Sequence, residues 1–245
     1  MRTKLLLTAG TLSIAALVMF PNMYARVDAA STSSQKSVAT TEEAELIQDS
    51  IEVLSELTAT PDDGIPMYLL ERAEAIVVIP SLVKGGFIVG AKHGEGIFSV
   101  RDRSSRQWSA PAFMNMTGMT IGWQIGVESV DLVLLVMNKD GVDELLQDRF
   151  TIGGSASVTA GPVGRAADAA TNAQMNSQIL AYSRAKGLFA GATLDGAKLH
   201  ADGDANEDFY GMRRSVKDIV FGKSDGLPQP AMTWRTTLGR LTSAT

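Results

Sequence analysis

The sequence predicts an α+β protein: a single domain with a curved, largely antiparallel, glycine-rich sheet flanked by helices. Three observations predict it. Short apolar runs of strand type, such as Ala75–Ile79 and Val130–Met137, fill the middle of the chain, while helical spacing of apolar residues is clearest near its ends. Glycines recur at strand-like positions (Gly85, Gly86, Gly90, Gly94, Gly96, Gly118, Gly122, Gly126, Gly153, Gly154, Gly161, Gly164), where they imply bulges, bends or close backbone approach. No internal repeat is visible, which leaves one α+β domain.

In chain order, Arg2 and Lys4 precede an apolar run from Leu5 to Phe20, and Val27-Asp28-Ala29 offers small residues where a signal peptidase reads, so 1–29 is expected to be a cleaved export signal. An uncleaved anchor is the alternative, but the run is shorter than the ~18 uninterrupted apolar residues expected of a membrane span. The Ser/Thr/Ala-rich stretch 30–39 reads as a flexible lead-in to a domain spanning 40–222. Thr40 and Glu43 form a capping-box pattern ahead of a helix with Leu46, Ile47, Ile51, Leu54 and Leu57 on one face. Its polar face is acidic, with Glu42, Glu43, Glu45, Asp49, Glu52 and Glu56, and should avoid an anionic membrane.

Pro61-Asp62-Asp63-Gly64 is a turn, and Ile65-Pro66 opens a second helix through Met67, Leu69, Leu70 and Ala73. Ala75–Ile79 is a strand ending at Pro80. Residues 87–92 and 96–101 are expected to pair as a hairpin across His93-Gly94-Glu95, and Ser104-Ser105-Arg106 is the next turn. Residues 119–127 give the clearest period-two pattern of the chain. A short helix over 141–149, a strand over 155–160, strands over 179–182, 188–194 and 197–201 and a last helix from Asn206 through Val220 complete the domain. The tail 223–245, with Pro228, Pro230 and Trp234, carries no clear pattern.

The chain has no cysteine and a net charge of −5 at pH 7. Disulfides, thiolate metal sites and a lipid-bearing cysteine are therefore excluded, and the acidic balance argues against nucleic acid as a partner. Complete catalytic signatures are missing. Ser183-Arg184-Ala185-Lys186 matches the S-x-x-K of serine penicillin-binding enzymes, but the S-D-N and K-T-G elements that complete that site do not occur. Tyr182 and Lys186 have dehydrogenase spacing without a dinucleotide-binding glycine turn. Asp202, Asp204 and Asn206 begin like a calcium loop, but Glu207 and Arg213 occupy the glycine and closing-glutamate positions, which leaves a helix-capping turn. His93 and His200 are too isolated to suggest a metal site or a triad. No cofactor is implied. What remains is a local basic excess between Lys84 and Arg106 (Lys84, Lys92, Arg101, Arg103, Arg106), which reads either as a lipid-facing patch or as ordinary charged hairpin tips.

The ordered blocks Ile65-Pro66 with Leu69-Leu70, Lys84-Gly85-Gly86-Phe87, Gly94-Glu95-Gly96, Trp108-Ser109-Ala110-Pro111, Gly122-Trp123-Gln124-Ile125-Gly126, Gly161-Pro162-Val163-Gly164-Arg165, Tyr182 to Gly191 and Phe209-Tyr210-Gly211 resemble the SYLF domain family over about residues 50–222. Ala185 stands where that family often has serine, and Asp195 where it often has glutamate. The resemblance implies a non-enzymatic lipid-binding module: eukaryotic members bind phosphoinositides, yeast relatives also bind and bundle actin, and bacterial members are exported proteins or lipoproteins. The expected partner is thus an anionic lipid or membrane surface of a bacterial envelope, met in the periplasm or after secretion. The residues expected to meet it, from local charge and their place in the matching blocks, are Lys84, Lys92, Arg165, Arg184 and Lys186. The alternatives are a structural or protein-interaction module whose glycine-rich sheet edges pair with a partner strand, and a hydrolase using Ser183 and Lys186.

Overall fold

A computed structural model of the chain describes residues 24–59, 64–147, 150–152, 157–163, 177–185, 188–191, 196–222 and 226–243; side chains within 24–40, 86–89, 120–127 and 188–191 are outside the description. Two compact units are separable, 1–37 and 38–245. Helix α1 is Tyr24–Ala59. It starts well before the capping box, so the expected flexible lead-in 30–39 is helical: no glycine or proline interrupts Tyr24 to Ala59, and nothing local stops the helix at Thr40. In the second unit its buried face is Ile47, Val53, Leu54 and Leu57. Helix α2, Met67–Arg72, follows Pro66 as read from the sequence and buries Leu69 and Leu70.

The largest departure is in the sheet. Strand β1 runs unbroken over Ala75–Val100 and pairs antiparallel with β2, Ala112–Val136, along its length. No hairpin turns at His93-Gly94-Glu95; those residues pair with Thr117, Met116 and Asn115. Pro80, read as a strand end, sits in a bulge between Ile79 and Leu82, where proline's missing N–H costs no ladder bond. Ser81 there has φ 55°, and its N–H donates to Asp131 Oδ1 at 3.0 Å. The bulge gives β1 one more residue than β2, so the inward parity of the strand changes: Ala75, Val77 and Ile79 share a core with Leu82 and Phe98. That core closes because the ribbon curls on itself. A methyl added at Gly94 would lie 2.8 Å from Ile79 Cγ2, and one at Gly96 would run into the Val78 carbonyl. Glycine therefore lets a long strand coil where the sequence reading placed a turn.

Helix α3 is Lys139–Leu145, capped by the Asn138 side chain. The remaining strands are β3 (Phe150–Thr151), β4 (Val158–Ala160), β5 (Ile179–Ala185), β6 (Leu188–Gly191) and β7 (Lys198–Ala201). They form one seven-stranded sheet of order β3-β7-β2-β5-β4, with β1 on β2 and β6 on β5. The sheet is mixed: β4 and β5 are parallel, and the other pairings are antiparallel. The expected last helix is two, α4 (Gly203–Tyr210) and α5 (Val216–Phe221), divided at Gly211 in the left-handed region. Helix α6, Gln229–Leu241, occupies the segment left without a pattern. Its Trp234 is fully buried and donates from Nε1 to Ser99 Oγ at 2.8 Å.

One sheet face packs Ala75, Val77, Leu132, Leu134 and Val136 with Val142 of α3 and Ile219 of α5. The other packs Ile76, Val78, Val133, Leu135, Leu180 and Tyr182 with residues of α1, α2, α4 and α6. Burial on both faces accounts for the continuous apolar runs at 75–79 and 132–136.

Candidate functional site

Of the five basic residues expected to meet lipid, Arg165 and Lys186 lie outside the described residues. The other three do not form one patch. Lys84 is half-buried and pairs with Glu128, on the face of Leu82 and Val130. Lys92 is only 6% exposed; it is opposite Gly118, and a methyl there would lie 2.6 Å from Lys92 Cε. The glycine thus makes room for the lysine stem. Arg184, opposite Asp131, lies on the other face, that of Tyr182 and Val133. It donates from Nε to Asp131 Oδ2 at 2.6 Å and pairs with Glu56, so it ties α1 to β2 and β5. Strand alternation separates Lys84 from Arg184, a consequence that charge counting along the sequence does not register.

The rest of the basic run is structural. Arg101, 4% exposed, stacks 4.3 Å over the Trp108 ring and donates to the Glu71 carbonyl at 2.5 Å. Burial, and then the neighbouring Arg106 charge, bring its pKa down to about 10, still leaving it charged at neutral pH. Arg106 donates to the same carbonyl at 2.6 Å, and Arg103 pairs with Glu74 at 3.0 Å. These three arginines therefore gather at the C-terminal end of α2, where exposed carbonyls favour cations.

Of the Ser183 and Lys186 pair, Ser183 lies within strand β5, and Lys186 lies outside the described residues. Asp202 follows the capping reading, its Oδ1 accepting from Ala205 N at 3.0 Å, whereas Asn206 lies within α4 and its amide bonds the Phe113 backbone at both ends, each at 2.9 Å.

Two features were not singled out by sequence. The first is the middle of the β1/β2 pair. Strand β5 joins β2 at Asp131–Val136 and β7 joins it at Met114–Thr117, so among the named strands β2 has only β1 beside it from Gly118 to Val130. This two-stranded ribbon carries Met119, 67% exposed, and Val83, 44% exposed, as well as Lys84. The second is a cleft of about 320 Å³ lined by Glu42, Glu43, Glu95, Asp202, Asp204 and Asp208 above Leu46, Phe113 and Met114. Glu43 is buried there, and its Oε2 has no hydrogen-bond partner. Burial, joined by the Asp208, Glu42 and Asp202 charges, lifts its pKa to about 7, although a bond to its own backbone opposes the rise. The capping-box reading of Thr40 and Glu43 had already given this carboxylate a bland role.

Residues 117–241 match the family described as Ysc84: Las17-binding protein actin regulator. The chain is 36% identical over 165 residues to Protein YSC84 of Saccharomyces cerevisiae, covering 66% of this chain and 35% of that one. It is 35% identical over 174 residues to LAS seventeen-binding protein 3 of the same yeast, covering 70% and 37%. With the human SH3 domain-containing YSC84-like protein 1 it shares 32% identity over 172 residues, 70% of this chain and 49% of the relative. The alignments thus take in between a third and a half of these longer relatives. A match over more than half of this chain, on the domain whose blocks the sequence displays, establishes that the chain belongs to the Ysc84, or SYLF, family.

Proposed function

We propose that this chain is a non-enzymatic module that binds an anionic lipid surface, exported to a bacterial cell envelope by residues 1–29. The observation that carries the reading is the two-stranded ribbon, whose Met119 and Val83 are exposed, with Lys84 next to Val83 on the ribbon's other face. Charge alone is insufficient: one lysine near an anionic surface contributes about 1 kcal/mol, against about 4 kcal/mol for a millimolar complex. Each apolar side chain taken out of water adds about 1.5–3 kcal/mol. Two of them taken together reach the millimolar range.

Vesicle flotation tests this. Wild-type protein is expected to float with phosphatidylglycerol vesicles more than with phosphatidylcholine vesicles. Replacing Val83 and Met119 by serine and Lys84 by alanine is expected to cut recovery at least severalfold, with an unchanged circular-dichroism spectrum. Equal recovery of the triple variant and wild type refutes the ribbon as the contact, and failure of wild type to float with either vesicle refutes lipid binding.

A second reading is a protein-binding module. It is favoured by the relative named LAS seventeen-binding protein 3 and by the outer edge of β1, which has no strand beside it among the named strands. A saturable envelope-protein partner without any vesicle binding would select it.

A further inference from the structure

We propose that the acidic cleft between the α1 residues Glu42 and Glu43 and the first turns of α4 binds an extended aliphatic cation, an alkylammonium or guanidinium group supplied by a polyamine or by a basic peptide. A cluster of carboxylates has a bland explanation where it caps a helix, and part of this one does. Asp202 is the N-cap of α4 and also accepts from Asn115 Nδ2 at 2.7 Å, while Asp204 lies 3.7 Å from Arg213 at the rim. Glu42, Glu43, Glu95 and Asp208 are not explained in that way. They come from α1, β1 and the second half of α4, so the fold assembles them from separate segments of sequence.

The independent observation is Glu43. Its residue is 7% exposed, it lines the cleft, and its Oε2 is buried without a donor. An unpartnered buried carboxyl oxygen is costly unless a donor arrives. The groups facing it are the carboxylates of Glu42, Asp202 and Asp208, with Asp204 and Glu95 also on the cleft wall. Of the basic side chains near the cleft, Arg213 is shared with Asp204 and Glu207, and His93 Nε2 lies 4.0 Å from Glu95 Oε1.

The lining selects among cations. Among the described residues no three His, Cys, Asp or Glu side chains are grouped closely enough to hold a metal ion. The carboxylates instead share the cleft lining with the apolar side chains of Leu46, Phe113 and Met114, which suits a methylene chain carrying charge at its end. Arrival of that charge favours the ionised form of Glu43, so binding at neutral pH expels its proton.

Isothermal titration calorimetry of the full chain at pH 7 and low ionic strength tests the site, with spermidine, a lysine-rich peptide, its fully acetylated form and calcium chloride as separate titrants. Runs in two buffers of different ionisation enthalpy count protons. Spermidine, the lysine peptide or both are expected to bind, each releasing about half a proton. Glu43→Gln is expected to weaken binding about tenfold and abolish the release, and Asp208→Asn to weaken it severalfold, with thermal melts confirming that both variants fold. Binding of spermidine alone assigns a free polyamine, and tighter binding of the peptide assigns a protein-borne side chain. Absence of heat with both, equal binding of the acetylated peptide, competition by calcium at equal concentration, or wild-type affinity in Glu43→Gln overturns the proposal.

Discussion

Glu43 shows how much depends on one oxygen atom. Its carboxyl holds a proton to about pH 7 in the folded chain, against an ordinary value of 4.5 for the free side chain. The folded state therefore binds the proton more tightly than the unfolded state does. The associated stability is fully present below pH 4.5, and it is lost as pH rises through 7. Glu43→Gln keeps the shape without the charge, so it should raise the melting temperature at pH 8 and change it little at pH 4. After allowance for solvent screening the gain should be about 1–2 kcal/mol. Thermal melts of both proteins across that range check it, and a gain that is larger at pH 4 than at pH 8 would contradict the buried-carboxyl reading.

At the scale of elements, the unpatterned tail proves to be a strut. Helix α6 buries Ala231, Trp234 and Leu238 against the sheet, and Arg235 Nε donates to the Trp108 carbonyl at 2.8 Å. Thr242, just beyond it, accepts from Trp108 Nε1 at 2.8 Å. Truncation after Gly222 would uncover Trp108 and Ser99 together, so the shortened chain should lose at least about 3–5 kcal/mol, the cost of deleting one buried tryptophan. Urea denaturation followed by tryptophan fluorescence measures this, and an unchanged midpoint would show that α6 is dispensable. The helix was hard to read because Pro228, Pro230 and Gly239 dilute its pattern, although Pro230 near the helix start is tolerated. The 179–182 and 197–201 strands, the α2 start and the capping turn at Asp202 were legible because local chemistry decides them. The unbroken β1 was not, since Pro80 and Gly94 signal an end and a turn locally, while the curl that accommodates both depends on Ile79, Leu82 and Asp131. The expected basic patch failed to assemble among its described members for the same reason. Which face Lys84 or Arg184 occupies depends on register and on a bulge, and their spacing in sequence carries neither.

For the whole molecule, the decisive contrast lies between the two parts of the long β1/β2 pair. At Ala75–Ile79 and Leu132–Val136 both faces are covered by separate cores, and β5 adds a second ladder partner to β2. From Gly118 to Ser129 β2 has β1 alone beside it among the named strands, and glycines pair across the ribbon at Gly86 and Gly126. Local opening is cheapest where a strand has the fewest ladder partners, so amide protection should be graded along this pair of strands. Amides of Leu132–Val136 should exchange only with global unfolding. Those between Gly118 and Ser129 should exchange by local opening, at least 100-fold faster. Anionic vesicles should then slow exchange in the ribbon while leaving Leu132–Val136 unchanged, because contact there removes the local opening route. Hydrogen exchange with and without phosphatidylglycerol vesicles makes both comparisons. Uniform protection along β2 would mean that the ribbon is as firmly held as the sheet, and vesicle-induced slowing elsewhere would place the lipid contact on another surface.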